Sequence, residues 1–275
     1  MKYLFCILLF SCVLSSCSQY QKVLKSEDTA LKFNAGDSLY KIGKYEKANR
    51  LFAQIVPQYK GKPQAEKLMF LYSDTYYKMG DFYVSGYQFE RFVSSYPKSE
   101  KREEAFFLSA KSYYMLSPRY SRDQKETTDA IEKLQEFINI FPDSKYVAEA
   151  NTLIKELDFK LEKKAFEIAK QYNRISDYKA SIKSFDNFIF QFPGSSLRED
   201  ALFYRLDAAY KLAINSLEYK YNVNGRENLK ENRLLQAKEY FNVFKKTYTS
   251  SKYIEDAQSM ATEIDKALET YSTKS

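Results

Sequence analysis

Aromatic residues and carboxylates recur at a fixed 37-residue offset in the first part of the chain. Phenylalanine takes one position, tyrosine follows seven residues later, and aspartate stands between them in two copies. The copies are Phe33, Asp37 and Tyr40; Phe70, Asp74 and Tyr77; and Phe107 and Tyr114, with Lys111 where a third aspartate would stand. Positions seven apart lie on one face of a helix, two turns apart. Rings offer contact area and carboxylates accept main-chain hydrogen bonds, so the pattern favours a groove for an extended peptide.

The alternative interpretation is that these rings pack between helices, as aromatic stripes at helical spacing usually do. Leu39, Tyr76 and Tyr113 occupy other positions that can serve this packing, which favours the groove. The pattern partly returns later in the chain, at Phe203, Asp207 and Tyr210.

The composition excludes trypsin-like triads, papain-like dyads and HExxH metal sites. The 275 residues contain no histidine, which removes the commonest general base and the commonest zinc ligand. The seven glycines form neither a GxxxxGK[ST] nor a GxGxxG loop, so phosphate-binding loops have no support. We therefore expect no catalytic site, no metal site and no cofactor.

The start of the chain has the features of a secretion signal. Residues 4–14 (LFCILLFSCVL) form an apolar run that is too short to span a membrane. The following Leu14–Ser15–Ser16–Cys17 resembles the bacterial lipobox, in which a peptidase cleaves before a cysteine that is then acylated. We predict a signal peptide at 1–16, a lipid anchor on Cys17 and a tether at 17–28. Several acyl chains would hold the protein firmly to the membrane.

The residue after the cysteine bears on location. Ser18 stands where an aspartate would resemble an inner-membrane retention signal, so we expect an outer-membrane protein that faces the periplasm. Cys6 and Cys12 would leave with the signal, so we expect no free thiol in the mature chain. Residues 17–275 carry 42 Lys and Arg against 36 Asp and Glu, a mild and interspersed excess of +6. This balance does not favour a nucleic-acid partner.

A turn motif divides the chain into repeated units. A small residue, a polar residue, an aromatic residue and a second small residue recur as Gly43–Lys44–Tyr45 with Ala48, as Gly80–Asp81–Phe82 with Ser85, and as Ser176–Asp177–Tyr178 with Ser181. Less regular copies fall at Thr127 with Ala130 and at Leu234 with Ala237. Each copy predicts two helices joined by a tight turn, with the second small residue where the helices cross closely.

A second phrase marks the junctions between units. Residues 96–107, 141–150, 192–203 and 248–257 each begin with an aromatic residue, contain a serine and place an acidic residue before an alanine. Proline, present in three of them, stops one helix, and serine would cap the next. Ser196 with Glu199 fits a capping box. We interpret the acidic pairs as helix-start residues that complement the helix dipole.

The units vary in length. Polar insertions at 117–128 and 217–233 are predicted to project as loops, and 147–175 would form one unusually long helix. A last helix near 253–271 would cap the stack. The prediction is an all-α superhelical solenoid of about five helix pairs and a C-terminal capping helix.

The repeated motif resembles the tetratricopeptide repeat, and by that resemblance the Phe and Tyr positions face the concave groove. A lipoprotein with five such repeats soon after its lipidated cysteine resembles the BamD family, the lipoproteins of the outer-membrane β-barrel assembly machinery. The resemblance implies a scaffold rather than an enzyme. Residues 29–116 would hold the groove for unfolded barrel precursors. Residues 117–272 would form the C-terminal repeats and capping helix, where a BamA-like POTRA domain would bind.

Two other classes of protein share some of these features. A SusD-like glycan-binding lipoprotein is also anchored and built on such repeats, but it stacks sugars on tryptophan, and this chain has none. A repeat-bearing lytic transglycosylase would carry a catalytic glutamate in a globular domain after the repeats, where we expect none.

Overall fold

The computed structural model describes residues 19–218, 220–222 and 225–272. Cys17, the signal at 1–16 and the start of the tether therefore lie outside the described residues. The helices in chain order are α1 (Thr29–Lys41), α2 (Tyr45–Ile55), α3 (Ala65–Met79), α4 (Phe82–Ser95), α5 (Arg102–Leu116), α6 (Lys125–Ile140), α7 (Val147–Arg174), α8 (Tyr178–Gln191), α9 (Arg198–Ile214), α10 (Leu229–Thr247) and α11 (Ile254–Ser272). Helix α2 continues into a short 3₁₀ turn, Val56–Tyr59. No helix within the described ranges is long and apolar enough to cross a membrane.

The all-α repeat fold is confirmed, with one addition. The second insertion carries two short antiparallel strands, β1 (Lys220–Asn222) and β2 (Gly225–Glu227), between α9 and α10. The prediction of a plain loop at 217–233 is wrong in part, because α10 already begins at Leu229. The first insertion is also shorter than predicted, since α6 begins at Lys125.

The chain forms two compact units that divide between Leu157 and Asp158, inside α7. Unit 1 contains the pairs α1–α2, α3–α4 and α5–α6 with the first half of α7. Unit 2 contains the second half of α7 with α8, then α9–α10 and α11. The sequence analysis predicted the boundary between the N-terminal and the C-terminal repeats at 116/117. The third pair cannot be separated from α7, because Phe107, Phe137 and Leu153 share one core cluster.

The tight turns within the pairs adopt the conformation that the motif predicts. Gly43 and Gly80 have φ values of 75° and 79°, in the left-handed region where glycine carries no steric cost. Ser176 takes the same place in the third copy with φ 65°, at some cost because it has a Cβ. Asp81 and Asp177 follow and cap α4 and α8 by accepting from the N–H groups of Val84 and Ala180.

Small residues lie where the paired helices cross, as predicted. The second small residue of every motif copy is completely buried, with 0% exposure: Ala48, Ser85, Ala130, Ser181 and Ala237. Gly36 shows how close the crossing is in the first pair, because a Cβ there would stand 2.5 Å from the ring of Phe52. A larger side chain would push the two axes apart.

The junction serines link each helix pair, or the capping helix α11, to the helix pair before it. Each serine hydroxyl accepts a hydrogen bond from the backbone N–H two residues later. It also donates to a glutamate on the first helix of the preceding helix pair. The four pairs are Ser99 with Glu66 at 2.5 Å, and Ser144 with Glu103, Ser195 with Glu162 and Ser251 with Glu199, each at 2.6 Å. We call these four bonds the junction bonds. They explain why the serine recurs. The acidic residue before each alanine has a different role, since Glu104 pairs with Lys101 and Glu149 with Lys111.

The predicted capping box at Ser196 and Glu199 is wrong. Ser196 is exposed, and Leu197 is the N-cap of α9 without a side-chain cap bond. The neighbouring Ser195 is buried and makes the junction bond. Glu199 accepts from Ser251 of the following junction instead of folding back on its own helix start.

The same bonds explain the long helix, which the structure confirms as the 28-residue α7. Glu66, Glu103 and Glu199 are each the second residue of their helix, whereas Glu162 lies in the middle of α7. Glu162 therefore marks where the first helix of the next pair would begin. The residues of α7 before it extend that helix backwards, where Ala150, Leu153 and Leu157 close the core of the third pair.

Ser195→Ala should lower the free energy of unfolding by about 1–2 kcal/mol, because it removes a buried hydrogen bond and leaves the Leu197 N–H without its side-chain acceptor. The matched control is Ser196→Ala, which should change stability by less than about 0.5 kcal/mol. Urea unfolding of the two variants measures both values. A larger loss in the Ser196 variant would show that the capping box, and not the junction bond, starts the helix.

Candidate peptide-binding site

Two of the three predicted groove phenylalanines are core residues. Phe33 is 4% exposed and stacks on Tyr59 at 5.8 Å between ring centroids. Phe107 is 3% exposed and stacks on Tyr146 at 4.6 Å. The expectation that these rings offer a surface to a ligand does not hold, because neighbouring helices cover them. For this pair of rings, packing between helices is the correct interpretation.

Phe70, the third member, is half-buried. Its ring meets Phe89 and Phe92 edge-on at 5.6 and 5.5 Å, and the Lys101 ammonium lies over it at 5.2 Å from the centroid. Phe70 therefore belongs partly to the core and partly to the surface formed by α3 and α5.

At two of its three places, Tyr40 and Tyr114, the tyrosine position bonds the helix that follows the pair. Tyr40, in the last turn of α1, donates to Oδ2 of Asp74 on α3 at 2.5 Å. Burial raises the pKa of Asp74, which is only 4% exposed, above its usual value, and the hydrogen bond from Tyr40 opposes that rise. Burial and the Asp74 carboxylate together raise the pKa of the Tyr40 hydroxyl, so it remains a donor at neutral pH.

The same arrangement follows in α5 and α7. Tyr114 donates to Glu156 at 2.5 Å, which raises the pKa of the tyrosine to about 12. Lys111, at the position of the missing aspartate, makes an ion pair with Glu149 at 2.6 Å. Tyr77 packs edge-on against Phe82 at 5.5 Å and is half-buried, and that burial raises its pKa.

Asp37 forms an ion pair on either side. Its carboxylate oxygens lie 2.8 Å from Nζ of Lys41 on the same helix and 3.2 Å from Nζ of Lys67 on α3. Burial alone would raise the pKa of Asp37, but the hydrogen bonds from the two lysines outweigh it and lower the pKa below its usual value of 3.8.

Unit 2 repeats the arrangement with a residue that the sequence pattern did not identify. Asn173 stands three residues before the turn residue Ser176, as Tyr40 does before Gly43, and its amide donates to Asp207 at 2.8 Å. Lys211 pairs with the same carboxylate at 2.7 Å. Tyr210 in turn donates to Glu263 on the capping helix α11. Counting back from the turn residue, rather than searching for aromatic rings, would have found Asn173.

The predicted polar residues thus form a row across the first helices of the pairs. In unit 1 we call this row the ladder face: Asp37, Tyr40, Lys67, Asp74, Tyr77, Lys111, Tyr114, Glu149 and Glu156. Its carboxylates and hydroxyls are paired with one another, and it contains no nucleophile with an adjacent base. Across the described part of the chain, no three Asp, Glu, Cys or His side chains gather as a metal site would require.

Comparison with known protein families identifies the family to which the chain belongs. The family model described as "YfiO: Outer membrane lipoprotein" matches residues 26–224, which is most of the chain and includes the ladder face. The chain belongs to the YfiO, or BamD, family of outer membrane lipoproteins. The resemblance inferred from the lipobox and the repeats is therefore confirmed.

Solved structures show more distant likenesses. The yeast protein titled "TPR2AB-domain:pHSP90-complex of yeast Sti1" is 12% identical, covers 86% of this chain and 98% of its own, and has a TM-score of 0.38. The MamA protein is 15% identical, covers 82% and 94%, and has a TM-score of 0.31. At these TM-scores neither likeness supports a conclusion about function. None of the curated proteins matches the chain.

Tyr40→Phe should lower the free energy of unfolding by about 1–3 kcal/mol, because the buried Asp74 carboxylate loses its tyrosine donor. Tyr45→Phe is the matched control, since its ring packs on Tyr40 at 5.5 Å while its hydroxyl bonds to no side chain among the described residues. Thermal unfolding compares the two. Equal losses would mean that ring packing, and not the hydrogen bond, connects α1 to α3.

Asp37→Asn should cost about 0.5–1 kcal/mol at pH 7 and progressively less in acid. The folded-state pKa of Asp37 is lowered, so the ionised carboxylate stabilises the fold above pH 3.8 and this contribution is lost as the pH falls through the folded-state value. Unfolding of wild type and variant at several pH values tests this. A gap that stays constant down to about pH 3 would contradict the assigned ion pairs.

Proposed function

We propose that this lipoprotein is a non-enzymatic scaffold of the outer-membrane β-barrel assembly machinery. In this proposal it binds a POTRA-bearing, BamA-like barrel subunit and unfolded β-barrel precursors. The observation that carries the proposal is the family match over residues 26–224, which places the chain among outer membrane lipoproteins. The lipobox supports attachment to the outer membrane through lipid on Cys17, with the repeats facing the periplasm.

The ladder face is the proposed surface for precursors. A carboxylate has about four acceptor sites, so the exposed Glu149 and Glu156 can accept peptide N–H groups while they keep their present donors. The partly exposed rings of Phe70 and Tyr77 supply apolar contact beside them. An unfolded barrel strand presents both a free main chain and alternate apolar side chains, and these are the two features that such a surface recognises.

Unit 2 is the proposed location of the POTRA contact. Large apolar side chains are strongly exposed there, with Phe190 at 86% and Ile175 at 60%. Exposed aromatic and aliphatic side chains of this size are common at the centre of protein interfaces. Binding of the folded subunit by unit 2 would leave the ladder face of unit 1 available for precursors.

The test is affinity purification of the tagged full-length protein from its own membranes in mild detergent, with mass spectrometry of the proteins that co-elute. A POTRA-bearing barrel protein in near-equal amount is the expected result. A TonB-type transporter or a glycan-handling protein in its place would overturn the proposal and assign the chain to nutrient uptake.

A further inference from the structure

The positive charge of the chain is concentrated next to the predicted lipid anchor. Residues 18–62 carry nine Lys and Arg against four Asp and Glu, a net charge of +5. Residues 63–275 carry 33 against 32, so the first stretch holds five of the six excess charges of the predicted mature chain. Basic residues beside a membrane attachment point are attracted to anionic lipids. The side of unit 1 nearest the anchor is therefore where such lipids would meet the fold.

The tether lies against α2. Residues 19–25 are helical, and the hydroxyl of Tyr20 donates to the carbonyl oxygen of Lys47 at 3.2 Å. Burial raises the pKa of the Tyr20 hydroxyl, and the nearby charges of Arg50 and Glu46 act on it in opposite directions. Three residues of chain span at most about 11 Å, so an anchor on Cys17 would attach within that distance of Tyr20.

A cleft opens on the same face of α2. Glu46, Arg50 and Ala53 follow one another at helical spacing, so they lie on one face of the helix. Ala53 lines a cleft of about 740 Å³ between α2, α3 and α4. Because a helix rises about 1.5 Å per residue, this cleft begins only about 5 Å along α2 from Arg50. The cleft therefore lies on the anchored side of unit 1, and no residue of the ladder face lines it.

This cleft combines an apolar wall with two accessible cations. Val56 and Met69 form part of the wall, and the charged side chains that line it are Lys60 and Arg91. Both cations are exposed, and no Asp or Glu of the described residues lines the cleft. Arg91 bonds Oε1 of Gln88 at 3.2 Å, and within the described ranges neither cation makes an ion pair. Two positive charges therefore meet in the cleft without a carboxylate to neutralise them.

We propose that the cleft binds the headgroup of an anionic phospholipid from the bilayer to which the chain is anchored. Arg91 and Lys60 donate to the phosphate oxygens, because guanidinium and ammonium groups are the usual partners of phosphate in proteins. The hydroxyl of Tyr96, which bonds to no other described residue, also lines the cleft and can donate to the headgroup. Val56 and Met69 contact the first part of an acyl chain.

An acidic protein segment would also suit the two cations, but it would not explain why the basic residues gather beside the anchor. The proposal rests on the lipid anchor of the proposed function and not on the assembly partners. Failure to recover a POTRA-bearing protein would therefore leave it intact, whereas a mature protein without acyl chains would overturn it.

The test places the mature, lipidated protein in nanodiscs that contain equal amounts of phosphatidylglycerol and phosphatidylcholine with the same acyl chains. Native mass spectrometry gives the mass of the protein and identifies the lipids that stay bound when it is released. We expect retention of one phosphatidylglycerol, with a preference of roughly tenfold or more over phosphatidylcholine, whose choline cation the cleft would repel. Equal retention of the two lipids would overturn the proposal.

Variants assign the preference to the cleft. Arg91→Gln and Lys60→Gln should each lower it by about fivefold, the value expected for one cation near a lipid phosphate. Lys155→Gln is the matched control, since it removes an exposed cation of α7 outside the cleft and should leave the preference unchanged. A preference that survives in both cleft variants, or that falls equally in the control, would overturn the proposal.

A second arm tests the other class of occupant. The acidic peptide acetyl-Phe-Glu-Phe-Glu-amide is added to protein in nanodiscs of phosphatidylcholine alone, and its retention is measured in the same way. We expect no retention that depends on Arg91. Retention by wild type but not by Arg91→Gln, together with equal retention of the two lipids, would assign the cleft to an acidic protein segment and overturn the lipid assignment.

Discussion

The junction bond, from a serine to a glutamate of the preceding helix pair, is the interaction on which the repeated structure depends. Packing of apolar faces brings helices together, but the hydrophobic effect that drives it has no direction. A short hydrogen bond from Ser99 to Glu66, or from Ser195 to Glu162, fixes the position of one helix pair along the next. The same hydroxyl accepts from an N–H group just before the following helix, so one side chain sets both the start of that helix and the register.

The polar row across the first helices follows from that register. Tyr40 and Asn173 each stand three residues before a turn residue, and they bond Asp74 and Asp207, which each lie eight residues after a glutamate that accepts a junction bond. Tyr114 bonds Glu156 on α7. Within unit 1 these bonds leave the ladder face ordered in the absence of a ligand, so a peptide would meet groups that are already oriented. The buried rings of Phe33 and Phe107 lie beneath this surface and support it from the core.

Sequence reasoning was strongest where one physical requirement decides the residue. A left-handed turn selects glycine, and a close crossing selects alanine or serine, so the turns and crossings at Gly43, Gly80 and Ala48 were predictable. It was weaker for side-chain orientation. Spacing placed Phe33 and Tyr40 on one helix face, but whether a ring points into the core depends on the next helix, which spacing does not describe. The partner of Ser195 was equally hidden, since Glu162 lies 33 residues earlier.

In the proposed function the ladder face receives unfolded barrel precursors, while the face of α4 that carries Tyr83 does not. A photo-cross-linking amino acid placed at position 77 on α3, and separately at position 83, where Tyr83 is 77% exposed, tests it in living cells. We expect covalent adducts with newly synthesised barrel proteins from position 77 and not from position 83. Adducts from position 83 alone, or from both positions equally, would contradict the assignment of the ladder face.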